Sequence, residues 1–114
     1  MKPEMRIIAK INVMENVLLE PYRHGQQVFL IKKGEEKLAE MVVKVTGDLM
    51  TVYHTEVAPA AEGKGLGKAL FDSMTAYARQ QGLKVLPLCV FVQAQFRRHP
   101  ALYADIWQKN SGDN

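Results

Sequence analysis

Glu62-Gly63-Lys64-Gly65-Leu66-Gly67-Lys68 is the segment of this 114-residue chain with the plainest chemical use. Its glycines let the backbone turn tightly and remove the Cβ atoms that would hold a ligand at a distance. The residues after it have helical spacing. A helix opened by such a turn presents unpaired N–H groups and the positive end of its dipole, a ready anion site. Counting excludes two phosphate motifs. A P-loop needs four residues between its first glycine and Gly-Lys, then Ser or Thr; here three separate Gly63 from Gly67, and Ala69 follows Lys68. A dinucleotide fingerprint begun at Gly63 needs glycine where Lys68 stands, and one begun at Gly65 needs it where Leu70 stands. A glycine-rich connection without a ligand is the plainer alternative.

The flanking elements are of two kinds. Val28 to Ile31 is a short apolar run, and Ala39, Met41, Val43 and Val45 alternate as in a half-buried strand. Gly47-Asp48 signals a turn, and β-type residues resume from Leu49 to Val57, so residues 38 to 57 read as a hairpin. Strict alternation puts Met50, Val52, His54 and Glu56 on one face of its second strand, with Thr51, Tyr53, Thr55 and Val57 on the other. After Val57 the period changes. Leu66, Leu70, Met74 and Tyr77, with Phe71 and Ala78 beside them, form a helical stripe from Gly65 that ends near Gly82. Val85 to Val90 is a strand candidate interrupted by Pro87, which cannot donate to a ladder and so predicts an edge or a local departure from the neighbouring strand. Phe91 to Arg98 reads as a helix stopped before Pro100, and Pro100 opens a last short helix carrying Leu102, Ile106 and Trp107. The result is an α/β (α+β) layer domain.

Length and composition agree with one domain over residues 1–114. Hydrophobic residues make up 47% and charged residues 24%, close to globular averages. A single cysteine excludes an internal disulfide framework and points to a reducing, cytoplasmic setting. The longest uncharged run, Val85 to Phe96, is 12 residues and contains Pro87, short of the ~20 a membrane helix needs, so no membrane partner is expected. Residues 1–57 hold eight basic and eight acidic side chains, so the whole net charge of +3 lies in residues 58–114, the half in which Lys64 and Lys68 flank the glycine cluster. Such a small, local excess suits a phosphate-bearing small ligand better than a nucleic acid, which takes a denser stripe. Arg97, Arg98, Phe91 and Phe96 are the residues a nucleic-acid reading would have to use.

Glu62 to Gly67 resembles the Gln/Arg-x-x-Gly-x-Gly/Ala pyrophosphate loop of the GNAT (Gcn5-related N-acetyltransferase) superfamily, with Gly65 and Gly67 at the two small positions. Glu62 departs from it, since Gln or Arg is usual there, and its carboxylate must face away from the phosphates. The ordered set His54-Thr55-Glu56-Val57, this loop and helix, Pro87-Leu88-Cys89 and His99-Pro100 resembles a subfamily of unusually short, single-domain GNAT-like proteins. The resemblance covers residues 17–108 and leaves 1–16 outside it; the apolar Met5, Ile7, Ile8, Ile11 and Val13 suit a segment that covers an edge strand or pairs with another chain. It implies a minimal GNAT-like mixed sheet: an antiparallel hairpin, one long cofactor-binding helix and parallel strands that splay apart, without the C-terminal strands of larger members.

The resemblance also implies a ligand and its contacts. Acetyl-CoA or coenzyme A would lie between Leu49–Val57 and Val85–Val90, its pantetheine amides on the backbone near Glu56 and Val57. Its pyrophosphate would rest on the N–H groups of Gly63, Lys64, Gly65, Leu66, Gly67 and Lys68. Cys89 falls where such a fold places the thioester, as an acyl carrier, a mixed-disulfide partner or simply a small buried hydrophobe. His54 is a general base toward an amine acceptor, directly or through water, or else a satisfied structural residue. His99 suits a corner, and Tyr103 is a lesser candidate for protonating a leaving thiolate. The three histidines and Cys89 show no zinc-ligand spacing, so no metal is expected. The amine acceptor would meet an open site, or one completed by a homodimer. A non-catalytic coenzyme A-binding or interaction module is the alternative function.

Overall fold

Five strands form one mixed sheet in the order β1-β2-β3-β4-β5. In this computed structural model, which describes residues 16–109, they are β1 (Leu18–Pro21), β2 (Gln27–Lys33), β3 (Glu36–Thr46), β4 (Leu49–Val57) and β5 (Lys84–Pro87). The first four run antiparallel to their neighbours, whereas β5 pairs with β4 in parallel. That crossover requires an intervening helix, which is α1 (Leu66–Gln81). A single 3₁₀ turn, Pro59–Ala61, precedes it. Two shorter helices, α2 (Val90–Arg98) and α3 (Pro100–Tyr103), follow β5. The hairpin, the long helix and its end at Gly82 stand as expected; Gly82 caps α1 at φ 69°. β1 has no counterpart in the sequence reading, and the part assigned there to the N-terminal segment lies outside the described residues, apart from Asn16.

The core lies on one face of the sheet. Leu70, Met74 and Ala78, four residues apart, and Phe71 beside them put one side of α1 against Phe29, Met41, Met50, Val52 and Val85, all fully buried or nearly so. Phe71 also meets the rings of Phe96 and Tyr103, which joins α1 to α2 and α3. The other sheet face bears a smaller cluster of Val28, Leu30 and Val42.

Three local expectations change. The strand expected over Val85–Val90 stops at Pro87, and Val90 already belongs to α2. Proline ends the ladder, and both Leu88 N–H and Cys89 N–H turn onto the Val52 carbonyl, at 2.9 and 3.1 Å. Second, a β-bulge at Tyr53 breaks the alternation of β4: Val43 pairs with Val52, but Val42 pairs with His54. One extra residue reverses every later side chain relative to the sheet. Met50 and Val52 therefore face the core while His54 and Glu56 face the opposite side, and Thr55 and Val57 take the core side. Third, Leu102 is exposed, while Ile106 is buried and Trp107 bridges to Val85 at the edge of β5. Among the described residues no helix is long and apolar enough to cross a membrane.

Candidate active site

β4 and β5 part company at the point where the glycine loop comes in. Their last pair is Val52 with Pro87. Beyond it, the backbone of residues 53–57 pairs with β3 on one side and leaves its other edge free of β5. A free strand edge is a row of unpaired donors and acceptors, available to any ligand that carries amides. Glu56 and Val57, the expected backbone contacts, lie on this edge.

The loop has the backbone an anion site needs. Gly63 and Gly65 have φ of +82° and +77°, a region costly for any residue with a Cβ. Nothing lies within 4 Å of a Cβ built at either, so conformation rather than crowding by the protein calls for glycine there. Gly67 is different: its Cβ would stand 3.4 Å from the Phe91 ring, in van der Waals contact with α2. Gly65 caps α1 without a side-chain hydrogen bond, which leaves the first-turn N–H groups of Leu66, Gly67 and Lys68 for a ligand. Lys64 is exposed, whereas the Lys68 ammonium is held by Asp72 at 2.9 Å and contributes through its backbone. This cradle and the free β4 edge fit the pyrophosphate and the pantetheine amides of coenzyme A.

Cys89 closes the gap between the strands from the core side. It precedes α2 as its cap residue, is 6% exposed, and its Sγ lies 3.3 Å from the Thr55 hydroxyl. Thr55 escaped the sequence reading, because only the bulge turns it toward Cys89. Gln93 steadies the same corner by donating to the Pro87 carbonyl at 2.9 Å.

His54 stands across the sheet from Cys89, half exposed, so the bulge has placed the two candidates on opposite faces. Its Nε2 is 3.2 Å from Oε2 of Glu40, a residue the sequence reading did not single out. Glu40 is only 4% exposed, and its other oxygen accepts from Lys37 at 2.7 Å. Burial pushes the Glu40 carboxyl up, but the hydrogen bonds and charges of Lys37 and His54 prevail and hold it below its ordinary value. A group depressed in this way contributes stability at neutral pH that disappears as pH falls through its folded-state value. Acid titration of thermal unfolding should therefore show a loss of stability below about pH 4.5 that is smaller in Glu40→Gln.

Glu40, His54 and Glu56 bring one ligand atom each within 4.8 Å of one another, a grouping not foreseen from spacing. Lys37 already matches the Glu40 charge a metal ion would need, and its ammonium would repel the ion. Beside them a cleft of about 340 Å³ is lined by residues 37–40 and 56–59. Of the two lesser candidates, Tyr103 is buried, its ring 5.2 Å from those of Phe71 and Phe96, and the exposed His99 ends α2 next to Pro100. The nucleic-acid reading loses its aromatic surface, since Phe96 is fully buried and Phe91 packs on Gly67 and Phe71.

Comparison with known proteins places this arrangement. No curated protein matches the chain. A solution structure of a GCN5-like protein from Staphylococcus aureus superposes with a TM-score of 0.62 at 25% identity, covering 87% of this chain and 95% of that one. A nourseothricin acetyltransferase crystal structure gives 0.50 at 26% identity over 68% of this chain and 51% of the other. A ribosomal-protein-alanine N-acetyltransferase from Brucella melitensis biovar Abortus 2308 gives 0.55 at 17% identity, over 81% and 67% respectively, a likeness of fold. The family described as GCN5-related N-acetyl-transferase matches residues 28–106, from the start of β2 to the turn after α3. With the splayed strands and the glycine loop in place, the chain belongs to the GNAT superfamily of acetyltransferases.

Proposed function

We propose that the protein transfers the acetyl group of acetyl-CoA to a primary amine. The observation that carries this reading is the parting of β4 from β5 at Val52 and Pro87, together with a loop whose Gly65 caps α1 without a side-chain hydrogen bond to its first-turn N–H groups. The free edge near Glu56 and Val57 binds the pantetheine amides, and the amides of Gly63 to Lys68 bind the pyrophosphate. Acetyl-CoA supplies an activated acetyl thioester, whose thiol is the leaving group. His54 accepts the proton that the attacking amine must lose, and its half-exposed position leaves it open to an acceptor from solvent. Beside His54, the cleft is lined by Glu56 together with the Lys37–Glu40 ion pair, so Glu56 is the carboxylate left to meet an ammonium group.

A broad panel of amines, with acetyl-CoA-dependent thiol release as the readout, tests the reading. Release that depends on one class of amine supports it. Cofactor binding with no amine-dependent release from any of them would instead make the protein a coenzyme A-binding module. Cys89→Ala tells direct transfer from a covalent route. With His54 as base and the acceptor attacking directly, the variant retains turnover within about threefold of wild type; a fall on the order of a hundredfold or more would mean that the cysteine carries the acyl group.

A further inference from the structure

The pairing of a buried carboxylate with a half-exposed imidazole is the feature of this molecule that packing accounts for least. The sheet face around Glu40 is apolar: Leu30 lies opposite it on β2, and Val42, two residues along, packs with Val28 and Leu30. A leucine or valine at position 40 would extend that cluster, whereas a buried carboxylate loses hydration that its partners must restore. Lys37 restores it at one oxygen. The second oxygen is given to His54, a side chain half in solvent whose position contributes little to the core. The expense goes into holding a ring that burial does not hold.

We propose that Glu40 is the positioning residue of the acid–base machinery: its carboxylate accepts the Nε2–H of His54 and thereby leaves Nδ1 to take the proton from the acceptor. The inference rests on the reading of His54 as the base. Lys37 has a part in it. With its ammonium 2.7 Å from Oε1, the carboxylate stays ionised and can only accept, so the His54 nitrogen facing it must donate. The bond selects one tautomer of the neutral ring and fixes the ring plane, as second partners of histidines do elsewhere. The charged groups around His54 are then Glu40 and Lys37 from β3 and Glu56 from β4, while β2 contributes the apolar Leu30 opposite Glu40.

The test begins with the wild-type protein. Long-range proton–nitrogen NMR of the histidine rings, at a pH where they are neutral, reads the tautomer of each, with the exposed His24 and His99 as internal references. His54 is expected wholly as the Nε2–H form, while the references show a solvent-like mixture. A His54 signal with the same mixture as the references would overturn the pairing. In Glu40→Leu, which removes the charge and keeps an apolar contact, His54 should join the references. Kinetics form the second arm. Glu40→Gln should lower kcat on the order of tenfold to a hundredfold, part of the 10²–10⁴ that a general base contributes, with the acetyl-CoA KM unchanged. Glu40→Asp should recover part of the loss, which a merely structural role does not predict. If His54→Gln is impaired while Glu40→Gln runs at the wild-type rate, Glu40 has no positioning role although His54 keeps its own. Failure of every form to use an amine would sink the proposed reaction instead, and the NMR comparison would then decide for or against the Glu40–His54 pairing by itself.

Discussion

Acetyl-CoA at 100 times its dissociation constant should raise the thermal midpoint of the wild-type protein by about 10 °C, and Gly65→Glu should abolish that rise. Ligand at that excess adds ~2.7 kcal/mol to native-state stability, and a domain of this size converts each kcal/mol to roughly 4 °C. The variant isolates the loop for two reasons. Its Cβ meets no protein atom within 4 Å, so the substitution does not pry the fold apart. The cost is the positive φ of 77°, worth ~1–2 kcal/mol for a residue with a side chain, and a carboxylate at a helix N-terminus recovers part of it. The same carboxylate competes for the N–H groups of Leu66 to Lys68 and repels a pyrophosphate. A folded variant with no ligand-induced rise locates the cofactor at this loop. An equal rise in both proteins would place it elsewhere, and no rise in the wild type would remove acetyl-CoA from the proposal.

Phe71→Ala should destabilise the fold by ~3–5 kcal/mol, a large part of the ~5–15 kcal/mol that holds a small domain together. Phe71 is fully buried, with its ring 5.2 Å from that of Tyr103, 5.8 Å from Phe96 and 6.3 Å from Phe91, all at steep interplanar angles. Edge-to-face pairs of this kind add to the area buried, and the cavity left by alanine has rings on several sides that cannot all collapse into it. The consequence reaches the site. Phe91 links this cluster to Gly67 at the start of α1, and α2 carries Cys89 at its head. Urea titration is the measurement: a midpoint shift at unchanged slope gives the loss directly, and Phe71→Leu should recover more than half of it. A loss below 1 kcal/mol would mean that α2 and α3 are not anchored through this ring.

The parts of the molecule that could be read in advance are those dictated within a few residues of chain. Glycines at 63, 65 and 67 before a stripe at Leu66, Leu70 and Met74 specify a turn and a helix whatever surrounds them. Pro87 removes its own N–H, so the parting of β5 from β4 is written into one residue type. Gly47-Asp48 similarly sets the hairpin. Glu40 and Thr55, by contrast, acquire their partners from a single inserted residue. Counting straight back from the Thr46–Leu49 pair sets Glu40 opposite Thr55; the bulge at Tyr53 moves Glu40 opposite Glu56 and brings His54 to its carboxylate. Position 53 is a tyrosine between Val52 and His54, and no glycine or proline marks it as a bulge.

Local residue types thus determine the anion loop, the long helix, the hairpin and the break in β5, because backbone preference and period act over one or two turns of chain. The division of labour across the sheet, with Cys89 and Thr55 on the core side and His54 with Glu40 on the other, is a tertiary outcome. It depends on which residue of β4 the packed core leaves unpaired. Met50 and Val52 must face α1, and so must Val57, seven residues after Met50. An odd separation on one face is impossible in a regular strand of period two, and the bulge is how the sheet accommodates both demands.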